Sequence, residues 1–208
     1  MRLSFVFLLL LLAAPVPGLT LDKEESMPNP DATQAIATFA GGCFWCMEPP
    51  FAQLDGVLSV TSGYTGGRQE NPSYEDVARG FTDHRESVRI LFDPARIGFG
   101  ELLEVFWRNV DPTDPTGQFA DQGEHYRTAI FYHDDSQRRL AEQSKRNMDA
   151  SGRFDGPIVT EILPATTFYP AEEYHQEYYK KNPQRYKIYR RGSGRERYLD
   201  QMWGGEEK

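Results

Sequence analysis

The segment QAIATFAGGCFWCMEPPFAQL, residues 34–54, contains both cysteines of the chain. Its first part, QAIATFA, alternates in polarity and is apolar enough to predict a β-strand. The strand pattern stops at Gly41-Gly42, and the apolar residues that follow recur at helical spacing. Pro49 and Pro50 would have to lie early in that helix or bend it, because proline has no backbone N–H to donate. The segment therefore predicts a strand, a glycine turn and a helix, with the cysteines at the start of the helix.

Strand and helix patterns continue to alternate along the rest of the chain. Strand patterns occur at VLSVTSGYTGG (57–67), ESVRILFD (86–93), RTAIFYH (127–133) and PIVTEILP (157–164), and helix patterns occur at 98–110, 134–152 and 171–182. Their order predicts one α+β domain over residues 34–208, in which helices cover a mixed or antiparallel sheet. From about Pro183 the chain is basic, and we expect a loop-like, solvated tail packed along the domain.

Two segments, 63–85 and 111–126, are rich in turn-forming residues and carry no long apolar pattern. Loops of this length in a compact domain are usually functional, because short connections suffice to join its elements. We therefore expect functional residues on these two loops and on the Gly-Gly-Cys turn.

The composition is acidic, with 31 Asp and Glu against 23 Lys and Arg, which argues against generic binding to nucleic-acid phosphates.

At the N-terminus, Arg2 and the apolar run LSFVFLLLLLAAPV (3–16) are typical of a signal peptide over about residues 1–18, and a polar linker follows at 19–33. An uncleaved membrane anchor is the alternative interpretation. Export to the periplasm or the exterior would place the cysteines in an oxidising compartment, where a disulfide can persist.

The pair Cys43 and Cys46 allows three interpretations: a metal site, a structural disulfide or a redox centre. A zinc site needs about four ligands. No second ligand pair occurs among the four histidines, which are His84, His125, His133 and His175, so we predict no metal site. A structural disulfide between these cysteines would close a very small loop and contribute little stability. The redox interpretation fits best, because residues three apart on a helical turn can form a disulfide.

Position distinguishes the two cysteines. Cys43, at the first turn after a strand, would meet unpaired backbone N–H groups and the positive end of the helix dipole, so we expect it to be the thiolate nucleophile. Cys46, one turn deeper, would resolve what forms on Cys43. Phe44 and Trp45 between them suit a small apolar group better than a peptide disulfide. A thioredoxin-like thiol–disulfide oxidoreductase and a secreted binding domain with a Cys43–Cys46 bridge remain the alternatives.

Several segments together resemble the peptide methionine sulfoxide reductases of the A type. They are ATFAGGCFWCME, GVLSVTSGYTGG, NPSYEDV, HRESVRILFDP, ELLEVFWRNVDPT, DQGEHYRTAIFYH and YPAEEYHQEYY, in the family's order and covering about residues 36–180. The resemblance implies an α+β sandwich with a ferredoxin-like core. It also implies an enzyme that reduces methionine S-sulfoxide, free or in proteins, and repairs oxidative damage.

The resemblance assigns the reacting groups residue by residue. Cys43 matches the family nucleophile, and Phe44 and Trp45 match the apolar slot for the substrate methyl group. Glu86 matches the acid, which is expected to have a raised pKa and to stay protonated among aromatic rings. The remaining matches are Tyr74 and Tyr126, which would hydrogen-bond the sulfoxide oxygen, and Asp121, which would line the site and hold the substrate backbone.

After oxygen transfer, Cys46 would attack the Cys43 sulfenic acid to form a disulfide, because no cysteine follows Cys46 in this chain. The resemblance implies no prosthetic cofactor and an external reductant, a thioredoxin-like protein.

Arg85 and His125 depart from the family pattern, and we expect Arg85 to point away from Glu86 because adjacent strand residues face opposite ways. For the remaining polar neighbours, we expect a structural hydrogen bond at His175 and a surface position for Glu48.

Overall fold

The computed structural model describes residues 34–204, so the predicted signal segment and linker (1–18 and 19–33) lie outside the described residues. The strands are β1 (Ala35–Ala40), β2 (Val57–Thr65), β3 (Arg85–Phe92), β4 (Gly117–Gln118), β5 (Asp121–Gln122), β6 (Ala129–Tyr132), β7 (Glu161–Pro164) and β8 (Tyr169–Pro170). The helices are α1 (Phe44–Ala52), α2 (Tyr74–Ala78), α3 (Phe99–Trp107), α4 (Asp135–Ala150), α5 (Tyr178–Lys181), α6 (Pro183–Gly192) and α7 (Arg195–Trp203), with a short 3-10 turn at Glu124–Tyr126. None of the helices within residues 34–204 is long and apolar enough to cross a bilayer.

Six of the strands form one mixed sheet in the order β7-β6-β1-β3-β2-β8. Strand β1 pairs antiparallel with β3 and β6, and β3 pairs antiparallel with β2, whereas β6 and β7 run parallel. The connection β1-α1-β2-β3-α3-β6 is the ferredoxin-like arrangement of a split β-α-β unit. The predicted α+β fold with a mixed sheet and a ferredoxin-like core is therefore confirmed.

An aromatic cluster fixes helix α1 over strand β1. The ring of Phe39, fully buried on β1, lies 5.5 Å from the ring of Phe51 on α1. The same ring lies 5.9 Å from Phe99 and 5.2 Å from Phe106, both on α3. Such ring pairs add to the free energy gained by burying apolar area. Because β1 leads directly into α1, this packing also fixes Cys43 between them and Cys46 in the first turn of α1.

Alternation along β3 sorts its side chains onto two faces of the sheet. Glu86, Val88, Ile90 and Phe92 are buried, and the last three belong to the main hydrophobic cluster. Arg85 lies on the other face, where its guanidinium pairs with Glu161 and donates to the Thr128 carbonyl oxygen at 3.1 Å. As predicted, Arg85 points away from Glu86.

Three predicted elements were wrong in part. The segment from Pro183 is not a loop-like tail but helices α6 and α7. The predicted helix at 171–182 is reduced to the single turn of α5, and the loop at 63–85 contains the short helix α2. Helix α2 begins with a capping box in which the Ser73 hydroxyl accepts from the Asp76 N–H and the Asp76 carboxylate accepts from the Ser73 N–H.

Candidate active site

The turn between β1 and α1 requires glycine. Gly42 has φ +80°, and a Cβ there would lie 2.6 Å from the Gln118 Cβ and 2.7 Å from a guanidinium nitrogen of Arg195. A Cβ on Gly41 would lie 2.6 Å from the sulfur of Met47. The turn that precedes Cys43 is therefore closely packed against two distant segments, at Gln118 and at Arg195.

Cys43 is the N-cap of α1, and both cysteines are free thiols. The Cys46 N–H donates to the Cys43 carbonyl oxygen at 3.0 Å, and the two thiols share a hydrogen bond. Their exposed fractions are 5% for Cys43 and 1% for Cys46. A thiol pair this close and this well shielded is arranged for disulfide formation within one helical turn.

The surroundings shift the pKa values of the two thiols in opposite directions. Burial raises the pKa of the Cys43 thiol, and its hydrogen bond to Cys46 and the nearby Glu86 raise it further. The hydrogen bond from Cys43 lowers the pKa of Cys46 to about 7, and the positive charges of Arg195 and Arg190 act in the same direction. Burial therefore opposes the effect of the helix dipole at Cys43, and the assignment of Cys43 as the thiolate nucleophile stays a prediction.

Glu86 reaches the cysteines from β3 and is 2% exposed. Its Oε2 accepts a 3.1 Å hydrogen bond from the backbone N–H of Phe44, in the first turn of α1. Burial raises the pKa of Glu86 to about 8, with Asp121 and Cys46 contributing repulsion. The carboxyl is thus mostly protonated at neutral pH and able to donate a proton, as predicted.

Tyr74 and Tyr126 approach from the two long loops that the sequence marks as functional. Burial raises the pKa of Tyr74 to about 12, and it also raises the pKa of Tyr126. After burial, the negative charges of Glu86 and Cys43 raise the pKa of each tyrosine most, so both hydroxyls lie close to these two groups. Both phenols remain protonated and can donate hydrogen bonds.

The two rings between the cysteines differ in accessibility. Phe44 is 1% exposed and packs in the main core, with its ring 5.0 Å from His175. Trp45 is partly exposed and stacks on Tyr178, with centroids 3.7 Å apart and planes 4° from parallel. Trp45 therefore offers the more accessible apolar surface beside the thiols, whereas Phe44 belongs to the buried core against which Trp45 packs.

His175 and Glu48 are both buried behind the site. His175 accepts from the Trp45 indole N–H at 3.0 Å, which is the structural hydrogen bond predicted for it. Glu48 is 1% exposed, so its predicted surface position is wrong. Its carboxylate accepts from the backbone N–H of Glu177 at 3.0 Å, and burial raises its pKa to about 7. Glu48 therefore ties α1 to the segment that carries Tyr178.

Asp121 lies on the loop at 111–126, beside a residue that sequence reasoning missed. Its Oδ2 accepts a 2.5 Å hydrogen bond from the hydroxyl of Tyr189, on helix α6. The same hydroxyl is hydrogen-bonded to the Cys43 thiol. Burial raises the pKa of Asp121, while Tyr189, Arg195 and His125 oppose that change. Proline at the start of α6 and glycine at its end were the available signals for this helix.

Arg195, on α7, was also missed. It is fully buried, and its guanidinium donates to the carbonyl oxygens of Gly41 at 2.8 Å and Asn109 at 2.5 Å. The guanidinium lies over the ring of Phe119, 4.7 Å from its centroid. A positive charge thus stands directly behind the glycine turn and the cysteines.

The structure brings all eight predicted site residues to one end of the sheet. They are Cys43, Phe44, Trp45, Cys46, Tyr74, Glu86, Asp121 and Tyr126. Within residues 34–204 no group of three or more His, Cys, Asp or Glu side chains is arranged to hold a metal ion. A thiol pair, a protonated carboxylic acid and phenol donors suit a two-electron reaction in which sulfur attacks and an oxygen accepts a proton.

Comparison with known proteins gives the following matches. A family model described as peptide methionine sulfoxide reductase matches residues 35–207. The peptide methionine sulfoxide reductase MsrA of Bacillus licheniformis is 60% identical over 169 residues, which are 81% of this chain and 93% of that protein. The MsrA of Bacillus subtilis is 56% identical over 171 residues, which are 82% of this chain and 97% of that protein.

Among solved structures, the crystal structure of Mxr1 from Saccharomyces cerevisiae in reduced form has a TM-score of 0.69 and 34% sequence identity. The match covers 74% of this chain and 88% of the yeast chain. Both the sequence and the fold therefore match the same group of proteins.

Proposed function

Because this chain belongs to the peptide methionine sulfoxide reductase family, we propose that Cys43 is the nucleophile with which it reduces methionine S-sulfoxide to methionine. The overall reaction is thiol-dependent and repairs methionine oxidised in peptides and proteins. One observation carries the assignment: the buried carboxyl of Glu86 accepts a hydrogen bond from the backbone N–H of Phe44, the residue that follows Cys43.

The first step is attack of the Cys43 thiolate on the sulfoxide sulfur. The oxygen is transferred to the cysteine sulfur, so that the products are methionine and the Cys43 sulfenic acid, and two electrons pass from the cysteine to the substrate. Glu86 supplies a proton to the oxygen, because at neutral pH its carboxyl is mostly protonated. Tyr74 and Tyr126 donate hydrogen bonds to the same oxygen.

Substrate binding uses the aromatic rim of the site. Trp45, which is stacked on Tyr178 and hydrogen-bonded to His175, presents a rigid apolar surface for the methyl group. Phe44 fixes that surface from the core side. Asp121 lines the site and accepts from the substrate backbone N–H.

The second step forms a disulfide. The Cys46 sulfur gives up its proton and attacks the Cys43 sulfenic acid, the S–O bond breaks, and the leaving hydroxide takes up that proton and leaves as water. Cys46 is suited to this because its pKa, lowered to about 7, makes it partly thiolate at neutral pH. The chain has only these two cysteines. A thioredoxin-like protein then reduces the Cys43–Cys46 disulfide by thiol exchange.

We also propose that the enzyme acts in the periplasm or outside the cell. The support is the sequence of residues 1–18, in which a basic start precedes an apolar run too short for a typical membrane span. Its substrates are therefore exported proteins that carry oxidised methionine. The N-terminal sequence of the protein recovered from the exported fraction tests this, since cleavage near residue 18 is expected.

One assay tests the reaction and the nucleophile together. The purified protein is incubated with the S and R epimers of a methionine sulfoxide peptide and dithiothreitol, and methionine is measured. The S epimer alone is expected to be consumed, and Cys43→Ser is expected to abolish turnover. Failure to consume the S epimer, or full turnover by Cys43→Ser, would contradict the proposal.

A further inference from the structure

Tyr189 lies between the thiol of Cys43 and the carboxylate of Asp121. Its hydroxyl donates to Asp121 Oδ2 at 2.5 Å and is also hydrogen-bonded to the Cys43 thiol. Its ring meets the edge of Trp45, with centroids 5.7 Å apart and planes at 78°. One residue of the C-terminal helices therefore touches the reacting sulfur, the carboxylate and the aromatic rim.

The placement of Tyr189 is fixed from both sides. The Ala120 N–H donates to the carbonyl oxygen of Ser193 at 3.1 Å, which ties the loop before Asp121 to the junction of α6 and α7. Arg195, next in α7, is fully buried and donates to the Gly41 carbonyl oxygen at 2.8 Å. These contacts hold α6 against the glycine turn, so Tyr189 cannot leave the site without breaking buried hydrogen bonds.

The dithiol presents a chemical difficulty that Tyr189 can resolve. The two thiols share a hydrogen bond, so the proton between them can lie on either sulfur, yet Cys43 is the sulfur that must attack. Burial, Cys46 and Glu86 all disfavour a thiolate on Cys43, whereas the hydrogen bond with Tyr189 favours it. Besides Glu86 and Tyr189, the titratable or charged groups near these two thiols are Asp121, Arg190, Arg195, Tyr74, Tyr126 and Tyr186.

We propose that Tyr189 is a further catalytic residue, whose hydroxyl turns from Asp121 to the Cys43 sulfur and thereby moves the negative charge of the pair onto Cys43. The proton of the Cys43 thiol passes to the Cys46 sulfur, and the Tyr189 O–H becomes the donor to the new thiolate. No proton leaves the pair, no electrons are transferred and the net charge is unchanged. The step prepares the nucleophile of the proposed reduction, on which this inference rests.

The test compares Tyr189→Phe with Tyr198→Phe, which removes a hydroxyl from the same helical pair. The Tyr198 hydroxyl is hydrogen-bonded to Asp111, away from the cysteines. Each reduced protein is treated briefly with iodoacetamide at neutral pH, and mass spectrometry gives the ratio of alkylation at Cys43 to that at Cys46. Single-turnover formation of methionine from the S-sulfoxide peptide is measured in parallel.

We expect Tyr189→Phe to lower the Cys43-to-Cys46 alkylation ratio by about tenfold or more, the range for a hydrogen bond to a charged group. The single-turnover rate should fall with it, and Tyr198→Phe should change neither. An unchanged ratio in Tyr189→Phe, or an equal change in Tyr198→Phe, would overturn the inference. The alkylation ratio does not depend on reductase activity, so failure of the proposed reaction in the wild-type protein is a separate result.

A second measurement covers the case in which Tyr189→Phe loosens the helices. In the Cys46→Ser protein, the ultraviolet absorbance of the thiolate follows the ionisation of Cys43 as pH rises. Adding Tyr189→Phe should raise the pKa of Cys43, while circular dichroism reports any loss of helix. A pKa that stays the same in a folded double variant would refute the hydrogen bond to the thiolate.

Discussion

The backbone N–H of Phe44 donates a 3.1 Å hydrogen bond to Oε2 of Glu86, across 42 residues of sequence. This hydrogen bond joins the first turn of α1 to Glu86, whose carboxyl on β3 is buried beside the cysteines. It stabilises the ionised form of Glu86, yet burial is the larger effect and the pKa of Glu86 is raised to about 8. The site thus keeps an acid protonated at neutral pH while fixing its position.

The first prediction concerns the pH dependence of oxygen transfer. Because the pKa of Glu86 is about 8, the wild-type single-turnover rate should lose its acid catalysis as pH rises above that value. Glu86→Gln should lower the rate at pH 7 by about a hundredfold or more and should remove this alkaline limb. The exposed Glu104→Gln serves as the control and should behave as wild type. A Glu86→Gln protein with a wild-type profile would contradict the assignment.

The second prediction concerns stability. Burial raises the pKa of Glu48 from 4.5 to about 7, so between these values the unfolded chain releases its proton before the folded chain does. The free energy of unfolding should therefore fall as pH rises through this window, and the contribution of Glu48 is about 1 to 3 kcal/mol. Glu48→Gln keeps an acceptor for the Glu177 N–H and should lack this part of the slope. Urea unfolding at pH 5 and pH 7 measures the difference.

The third prediction concerns the glycine turn. Gly42→Ala should destabilise the protein by about 2 kcal/mol or more, since the residue has φ +80° and the added Cβ would meet Gln118 and Arg195. Gly100→Ala in α3 is the matched control, because its Cβ would meet nothing within 4 Å. That change should be neutral or stabilise the helix by up to about 1 kcal/mol. Equal thermal shifts for the two variants would show that the turn is not strained by a side chain.

The central part of the site could be predicted from the sequence because its residues follow local rules. The glycine turn and the cysteine spacing indicate the redox pair, and period-two alternation along β3 places Arg85 and Glu86 on opposite faces. Long loops rich in turn residues indicated where Tyr74 and Tyr126 lie. The acid assignment of Glu86 required the family resemblance, since a buried carboxyl alone has many explanations.

The helices of the C-terminal segment could not be predicted from the sequence, because their position depends on long-range contacts that no local sequence pattern shows. Helix α6 has no fully buried residue and therefore lacks a clear apolar stripe. Its placement depends on tertiary contacts such as Tyr189 to Asp121, 68 residues away. The burial of Glu48 likewise depends on Glu177, 129 residues away. Helical spacing alone would place either residue equally well at the surface.

The fourth prediction separates oxygen transfer from recycling. Cys46→Ser should still form about one equivalent of methionine per protein, because Cys43 remains, and should then accumulate the sulfenic acid on Cys43 when only a thioredoxin is supplied. Trapping with dimedone and mass spectrometry locates the modified residue. Wild-type protein, which can form the disulfide, should give little trapped product. Normal steady-state turnover of Cys46→Ser with thioredoxin would refute the resolving role of Cys46.

The fifth prediction concerns Arg195, whose buried positive charge favours the thiolate of Cys46. Removing that charge should raise the pKa of Cys46 above about 7, so Arg195→Gln should form the Cys43–Cys46 disulfide more slowly near neutral pH and approach the wild-type rate at higher pH.

The measurement for Arg195 is the rate of disulfide formation after one turnover, followed across pH by quenching with acid and counting free thiols. Arg197→Gln, at an exposed position on the same helix, is the control and should leave the profile unchanged. Because Arg195 also binds the Gly41 carbonyl oxygen, Arg195→Lys tests charge apart from shape. Lysine keeps the charge and should restore most of the neutral rate. An Arg195→Lys protein as slow as Arg195→Gln would show that the hydrogen bonds to the turn, and not the charge, control Cys46.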